Sequence, residues 1–483
     1  MKKARGLASW STPLLLLLGA CSMAPPLKTP NVPTADAYRE LGPWTQAQPA
    51  DRLPRDSWWN LYESTELNDL QKRLIAGNPT LAIASANYAQ ARALSDQARA
   101  GLFPTLGLNA SVQRARESKN APLIGPTTPR YYDANTLGGS VSYELDLWGQ
   151  IRNEVAAGKA NAEAAAADLE NARLSLTAQL VADYIELRSL DRGAAILDES
   201  VKAYTRALGL TEQRHNAGIA PGLDVSQAQT QLEVARSQAA QTRAQRALIE
   251  HAIAALLGVS ASTFSIKPQI VDILLPQIPT GVPAKLLQRR PDIAGAQRRM
   301  IAANANIGVA RAAYFPTVIL GGQGGYQSTG FSNWLSAPSS FWAVGPTALL
   351  SVLDGGLRTA QVAQARAEFD AAAANYRSTV VGAFQQVEDS LATLNHYHDA
   401  AVDEKAAVDA AQRTVNFSMA LYVQGATDYL TVVTSQTAFL QTQMDVLNLE
   451  TLQLRASVDL IRALGGGWED GAGALDIRNP GSL

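Results

Sequence analysis

Cysteine is almost absent from this chain: Cys21 is the only one in 483 residues. A disulfide framework is therefore excluded, and no zinc-ligand spacing exists. Histidine is scarce too, and His396 and His398 stand two apart, which on a helix turns them to different faces. The five methionines are scattered, so a methionine-rich copper path has no support. No metal or other cofactor is expected. Charged residues make up only 17% and the net charge is −2, with no basic block interleaved with aromatics. Nucleic-acid binding is thereby disfavoured. Neither a Gly-x-Ser-x-Gly elbow nor a Gly-x4-Gly-Lys loop is present, so no catalytic residue is nominated. After residue 21 nothing approaches the run of about 20 apolar residues that a membrane helix needs. Any membrane crossing must be made by strands.

What is present begins with an export signal. Lys2, Lys3 and Arg5 precede the apolar run Leu14 to Leu18, and Leu18-Gly19-Ala20-Cys21 then matches the lipobox of bacterial prolipoproteins. Cleavage before Cys21 would remove those three cations and no acid, taking the net charge from −2 to −5. Ser22 stands where an aspartate would resemble an inner-membrane retention signal, so outer-membrane sorting of a chain lipidated on Cys21 is expected. Residues 21–56 contain Pro25, Pro26, Pro30, Pro33, Pro43, Pro49 and Pro54 without a period and read as an extended tether.

The body is a tandem duplication. Residues 78–108 align without gaps on 290–320, with 12 identities in 31 positions, among them Phe103-Pro104-Thr105 and Phe315-Pro316-Thr317. Gly149 and Arg152 match Gly355 and Arg358, while Gly218, Leu223 and Val225 match Gly425, Leu430 and Val432. The division is a signal peptide at 1–20, the tether at 21–56, a first repeat at 57–258 and a linker at 259–284. A second repeat follows at 285–468 and a tail at 469–483.

Each repeat reads as a helix, two strands and two long helices. In 105–113, Leu106, Leu108, Ala110 and Val112 oppose Asn109, Ser111 and Gln113; in 137–147, Leu137, Val141, Tyr143, Leu145 and Leu147 oppose Ser140, Ser142, Glu144 and Asp146. Weaker strands fall near 317–327 and 341–353, blurred by glycines and by Pro346. No proline occurs from 130 to 220 or from 347 to 479, and 359–424 holds only one glycine, Gly382. A continuous helix over those 66 residues would run about 100 Å at about 1.5 Å per residue. Val380, Phe384, Val387, Leu391 and Leu394 carry coiled-coil spacing, as do Leu176, Leu180, Tyr184 and Leu187. Taken alone, that spacing describes a solvated coiled coil. The alternating strands argue otherwise: four cannot close a barrel, and an open edge in lipid strands its amides. Assembly with further copies is expected; the sequence does not choose three over two or four.

The chain resembles the TolC-type outer-membrane efflux proteins, in the lipoprotein branch that serves resistance-nodulation-division (RND) pumps. The resemblance spans roughly residues 56–468 and rests on Trp58-Trp59-Asn60-Leu61-Tyr62, Tyr143-Glu144-Leu145-Asp146-Leu147-Trp148-Gly149, Arg289-Arg290-Pro291-Asp292-Ile293 and Ala463-Leu464-Gly465-Gly466-Gly467-Trp468. It implies an α+β membrane protein: a homotrimer with a 12-stranded β-barrel in the outer membrane, four strands per chain. A long α-helical periplasmic barrel with a mixed equatorial belt would continue it. It also implies a periplasmic adaptor and an inner-membrane RND antiporter as partners, outer-membrane lipid around the barrel, and no chemistry in the duct itself.

Two helix-to-helix turns draw attention, Asn216–Gly222 and Gln424–Asp428. Turn chemistry alone accounts for their glycines. The resemblance makes them the tip that docks the adaptor, through Gly218, Gly222, Gly425 and Asp428. It makes Tyr422 and Asp224 a contact holding the tip closed, and Leu430 an apolar constriction. At Thr431 and Thr434, where relatives carry acidic gate residues, this sequence departs from the pattern, leaving Thr434 as a neutral gate position. The competing classes are a lipid-anchored structural coiled coil and the exit channel of a protein-secretion system.

Overall fold

The computed structural model describes residues 22–31, 37–40, 57–118, 130–276, 278 and 290–466. Cys21, nominated for lipidation, and the tail at 469–483 lie outside them. The helices are α1 (Thr65–Gly77), α2 (Pro79–Ala100), α3 (Gln150–Asn216), α4 (Gly222–Leu256), α5 (Pro291–Ala312), α6 (Leu357–Val423) and α7 (Tyr429–Ala463). The strands are β1 (Thr105–Arg116), β2 (Tyr131–Leu145), β3 (Thr317–Ser328) and β4 (Ser340–Leu349). The duplication is written in the lengths: α2 and α5 have 22 residues each, α3 and α6 have 67, and α4 and α7 have 35.

The chain divides into two compact units that do not coincide with the repeats. The first takes Met1–Pro30, Asn87–Ala165 and Ala296–Tyr376; the second takes the rest. Each unit draws on both repeats; in the first, β2 of the first repeat pairs with β3 of the second.

In the first unit the strands form one antiparallel sheet in the order β1-β2-β3-β4. Its register sorts the side chains by chemistry, since directly paired residues share a face. Leu106 pairs with Val141, Val141 with Gly322 and Gly322 with Val344; Leu108, Trp342, Leu137, Tyr326, Tyr143 and Leu320 share that face. Asn109, Ser111, Thr136, Ser140, Ser142, Gln323 and Gln327 take the other. Leu108 is 92% exposed, Leu106 84% and Trp342 80%, so these side chains have little cover among the described residues. Soluble proteins bury such a surface. Glycines on β3 allow close packing: a Cβ on Gly325 would sit 2.1 Å from the Leu137 carbonyl oxygen.

β2 starts six residues before its apolar alternation does. The extension is a polar ladder, with Asp133 paired to Arg114, Arg116 over the Tyr131 ring and the Tyr132 hydroxyl donating to Glu117. Pro346 does not break β4, because β4 is an edge strand, where a missing N–H is tolerated. Where strands meet helices, the Asp146 carboxylate accepts from the Ile151 and Arg152 amides and from Arg152 Nε. Trp148 stacks on Phe315 at 4.6 Å and donates to the Pro316 carbonyl. Ala157 and Ala160 of α3 pack on Ala302 and Ala305 of α5, small side chains that let the axes approach.

In the second unit, Val380, Val387, Leu391 and Leu394 are buried along α6, as are Leu180, Tyr184 and Leu187 along α3. Trp58 and Trp59 are buried, and the Tyr62 hydroxyl meets Ser457 Oγ at 2.7 Å. An ionic cluster clips the linker: Arg188 pairs with Glu66 and Asp191, and Arg246 with Asp191 and Glu250. The same groups hold backbone at Ile266, Lys267 and Gln269. Among the described residues no helix is long and apolar enough to cross a membrane.

If the apolar face meets lipid, charge should be penalised on it alone. Leu108→Lys is expected to cost about 2–4 kcal/mol on folding into lipid vesicles, the usual depth-dependent price of a lysine in hydrocarbon. Ser140→Lys, on the opposite face, is expected to cost far less. Urea titration of vesicle-folded protein measures both, and equal losses would reject the assignment of faces.

Candidate functional site

The two nominated turns are built alike. α3 ends with the Gly218 amide donating to the His215 carbonyl and the Ile219 amide to Arg214; α6 ends with Gly425 donating to Tyr422 and Ala426 to Leu421. Both are the paired bonds that end a helix on a left-handed residue, and φ is +74° at Gly218 and +76° at Gly425. A Cβ at either glycine would meet nothing within 4 Å, so the constraint is conformational and the surface is open. Gly222 opens α4, where a Cβ would lie 3.5 Å from the His215 ring. Asp428 caps α7: its Oδ1 accepts from the Thr431 amide at 3.1 Å and the Thr431 hydroxyl at 2.7 Å. The Thr431 bonds hold the Asp428 carboxyl below the usual carboxylate range.

Between the hairpins the Tyr422 hydroxyl donates to Asp224 Oδ2 at 3.1 Å, with both side chains buried. Tyr422 meets Tyr429 edge-on at 5.1 Å, and Ala207, Ala228 and Val432 complete the cluster. Burial, then the Asp224 carboxylate, pushes the Tyr422 hydroxyl up to about 12. It therefore remains a donor at physiological pH. An unfolded tyrosine titrates near 10, so this contribution is intact below that pH and is lost as pH rises towards 12.

Farther from the turn, Ser418 and Ser435 meet at 2.6 Å and the Tyr204 hydroxyl donates to the Gln436 carbonyl at 3.2 Å. The first joins α6 to α7 within one hairpin, and the second joins α3 of the other hairpin to α7.

Leu430, Thr431 and Thr434 occupy the exposed face of α7, with Leu430 51% exposed. The Thr434 hydroxyl donates back to the Leu430 and Thr431 carbonyls, leaving a neutral surface. The nominated residues thus fall into two groups. Tyr422 and Asp224 are brought together inside the hairpin pair, whereas Leu430, Thr434 and the turn residues line its free surface.

Sequence reasoning missed Arg214. Its guanidinium lies 4.9 Å from the Tyr422 ring centre and donates to the Val423 carbonyl at 2.9 Å, a second tie between hairpins. The available signal was position: Arg214 stands one turn before Gly218, as Leu421 and Tyr422 do before Gly425. Among the described residues no three His, Cys, Asp or Glu side chains converge as metal ligands.

The sequence model of the outer membrane efflux protein family matches residues 70–259 and 282–466. The toluene efflux pump outer membrane protein TtgC of Pseudomonas putida is 29% identical over 459 residues, covering 95% of each chain. The outer membrane protein OprJ of Pseudomonas aeruginosa is 30% identical, again covering 95% of each chain. Among solved structures, the outer-membrane channel OprN superposes with a TM-score of 0.86 at 29% identity, covering 93% of this chain and 100% of that one. The chain belongs to the outer membrane efflux protein family.

Proposed function

We propose that three copies of the chain assemble into the exit duct of a tripartite efflux pump, and that the Tyr422–Asp224 contact latches its periplasmic end. The observation that carries this reading is the sheet: four strands, one apolar face, one polar face and two free edges. Three copies joined β4 to β1 supply 12 strands, enough to close around an aqueous lumen. The polar face then lines the lumen and the apolar face meets outer-membrane lipid, with Cys21 lipidated. The duct is passive. A periplasmic adaptor docks on the Gly218, Gly222, Gly425 and Asp428 surface, and an inner-membrane RND antiporter supplies the driving force. Relatives named for toluene and antibiotic efflux support small, largely apolar compounds as cargo.

A hydrogen bond to a carboxylate contributes about 1.5–3 kcal/mol. Threefold symmetry repeats the latch, so opening breaks several such bonds together. Asp224→Ala combined with Tyr422→Phe should raise the single-channel conductance of the purified oligomer in planar bilayers. An unchanged conductance would reject the latch.

The threonine surface makes a separate expectation. Without carboxylates at 431 and 434 the constriction focuses little negative potential. Trivalent cations should block weakly from the periplasmic side. Tight block that survives both Asp428→Asn and Asp224→Asn would contradict this account.

For docking, Gly218→Trp and Gly425→Trp should abolish adaptor binding while oligomer formation and membrane insertion persist. Wild-type adaptor affinity, measured by titrating purified adaptor, would remove the turns from the interface.

A further inference from the structure

Residues 22–30 of the first unit form neither helix nor strand, yet Ser22 to Pro25 are held by side chains of α3 and α5. The Ser22 hydroxyl donates to Asn153 Oδ1 at 3.0 Å and accepts from the Ala24 amide at 3.3 Å. Arg311 Nη1 donates to the Met23 carbonyl at 3.3 Å, and Asn304 Nδ2 to the Pro25 carbonyl at 2.9 Å. Pro25 and Pro26 bias this segment away from helix, which leaves its carbonyls open to side-chain donors. Asn304, Gly308 and Arg311 lie at i, i+4 and i+7, one face of α5. Asn153 stands in the first turn of α3 and is buried.

Gly308 is what admits the segment. A Cβ there would lie 2.8 Å from the Ala24 amide nitrogen and 2.5 Å from Asn153 Nδ2, so any side chain would displace one or both. The duplication supplies an internal control. The positions of α2 that match Asn304, Gly308 and Arg311 are Arg92, Asp96 and Arg99. The repeats agree at the arginine and differ at the two residues that contact Pro25 and make room for Ala24.

We propose that the seam between α3 and α5 is a seat for the mature N-terminus. It holds residues 22–25 so that the acyl chains on Cys21 enter the bilayer at the helical end of the sheet, one fixed entry point per copy. Ser22 is covalently joined to Cys21, so fixing Ser22 fixes where the lipid begins. The seat rests on the reading of Cys21 as lipidated only for its cargo; the docking of residues 22–25 stands on the contacts above.

The test uses the full-length protein in outer membranes, with Met23→Cys and Arg311→Cys as targets for a short bis-maleimide; the second exchange gives up the Arg311 bond and leaves those of Asn153 and Asn304. Lipidation caps the Cys21 sulfur, and palmitate labelling reports that step separately. Intramolecular crosslinking is expected. It should fall about fivefold with Asn304→Ala, the effect of one ordinary hydrogen bond. It should vanish with Gly308→Leu, while conductance and palmitate labelling remain as before and show that the channel still folds. Absent crosslinking in palmitate-labelled protein, or crosslinking unchanged by Gly308→Leu, would overturn the seat. Crosslinking without palmitate would overturn its role in placing lipid, and lost conductance in the parent protein would count against the duct instead.

Discussion

A strand edge placed in hydrocarbon leaves backbone N–H and C=O groups without partners, at a cost of several kcal/mol for each. β1 and β4 are such edges, and the exposed apolar side chains of Leu106, Leu108 and Trp342 commit them to lipid. Neither problem can be solved within one chain. The sheet therefore dictates self-association, and the proposed closure by three copies satisfies every edge by the same β4-to-β1 pairing. In chain order α2 and α5 lead into β1 and β3, and β2 and β4 lead into α3 and α6.

The duplication explains why one chain can contribute two equivalent sectors, and the equal lengths of paired helices show how strictly the frame is kept. Departures from equivalence are informative for that reason. The repeat partners of Tyr422 and Asp224 are His215 and Thr431. They form no second latch: His215 Nδ1 meets the Ala220 carbonyl at 2.9 Å, and Thr431 bonds to Asp428. The tyrosine–aspartate bond thus joins α4 to α6 with no counterpart at the matching positions, while Tyr204 and Gln436 join α3 to α7 farther from the turns. Arg214 adds a tie from α3 to α6 by covering the Tyr422 ring and holding the Val423 carbonyl. A latch of this kind holds one hairpin against the other while the exposed faces of both remain free for a partner.

Much of this was legible in the residues themselves. The alternation in 105–113 located β1 because a half-lipidic strand must sort its side chains strictly, and the absence of proline in 347–479 located α6 and α7. The glycines of β3 obscured it, because a strand that approaches its neighbour as closely as Gly325 approaches Leu137 has no side chains with which to display a period. The outer part of β2 was hidden for the opposite reason: Tyr131, Asp133 and Asn135 lie where cross-strand pairs such as Arg114–Asp133 replace the apolar pattern. Tyr422 and Asp224 were placed by resemblance and position in the repeat, and the structure brings them within hydrogen-bonding distance. Arg214 was not, since a cation over a ring leaves no periodic trace. The contacts of Ser22, Met23 and Pro25 were invisible for a further reason. Proline-rich sequence specifies extended backbone, but the side chains that hold it lie on helices more than 100 residues away.

Two of the places where the repeats part company are places where the proposed threefold duct needs something other than repetition. A wall is best made of equivalent sectors, and the equal lengths of α2 and α5, of α3 and α6, and of α4 and α7 keep to that rule. A latch must be able to release, and doubling it within each chain would double the free energy that a partner has to supply. An anchor needs one entry point for each N-terminus, and a chain has only one. Asp224 against Thr431 and Gly308 against Asp96 are therefore divergences of the same physical kind. In each, a polar or conformational requirement arises once per chain, and the second copy of the frame is left to serve as wall.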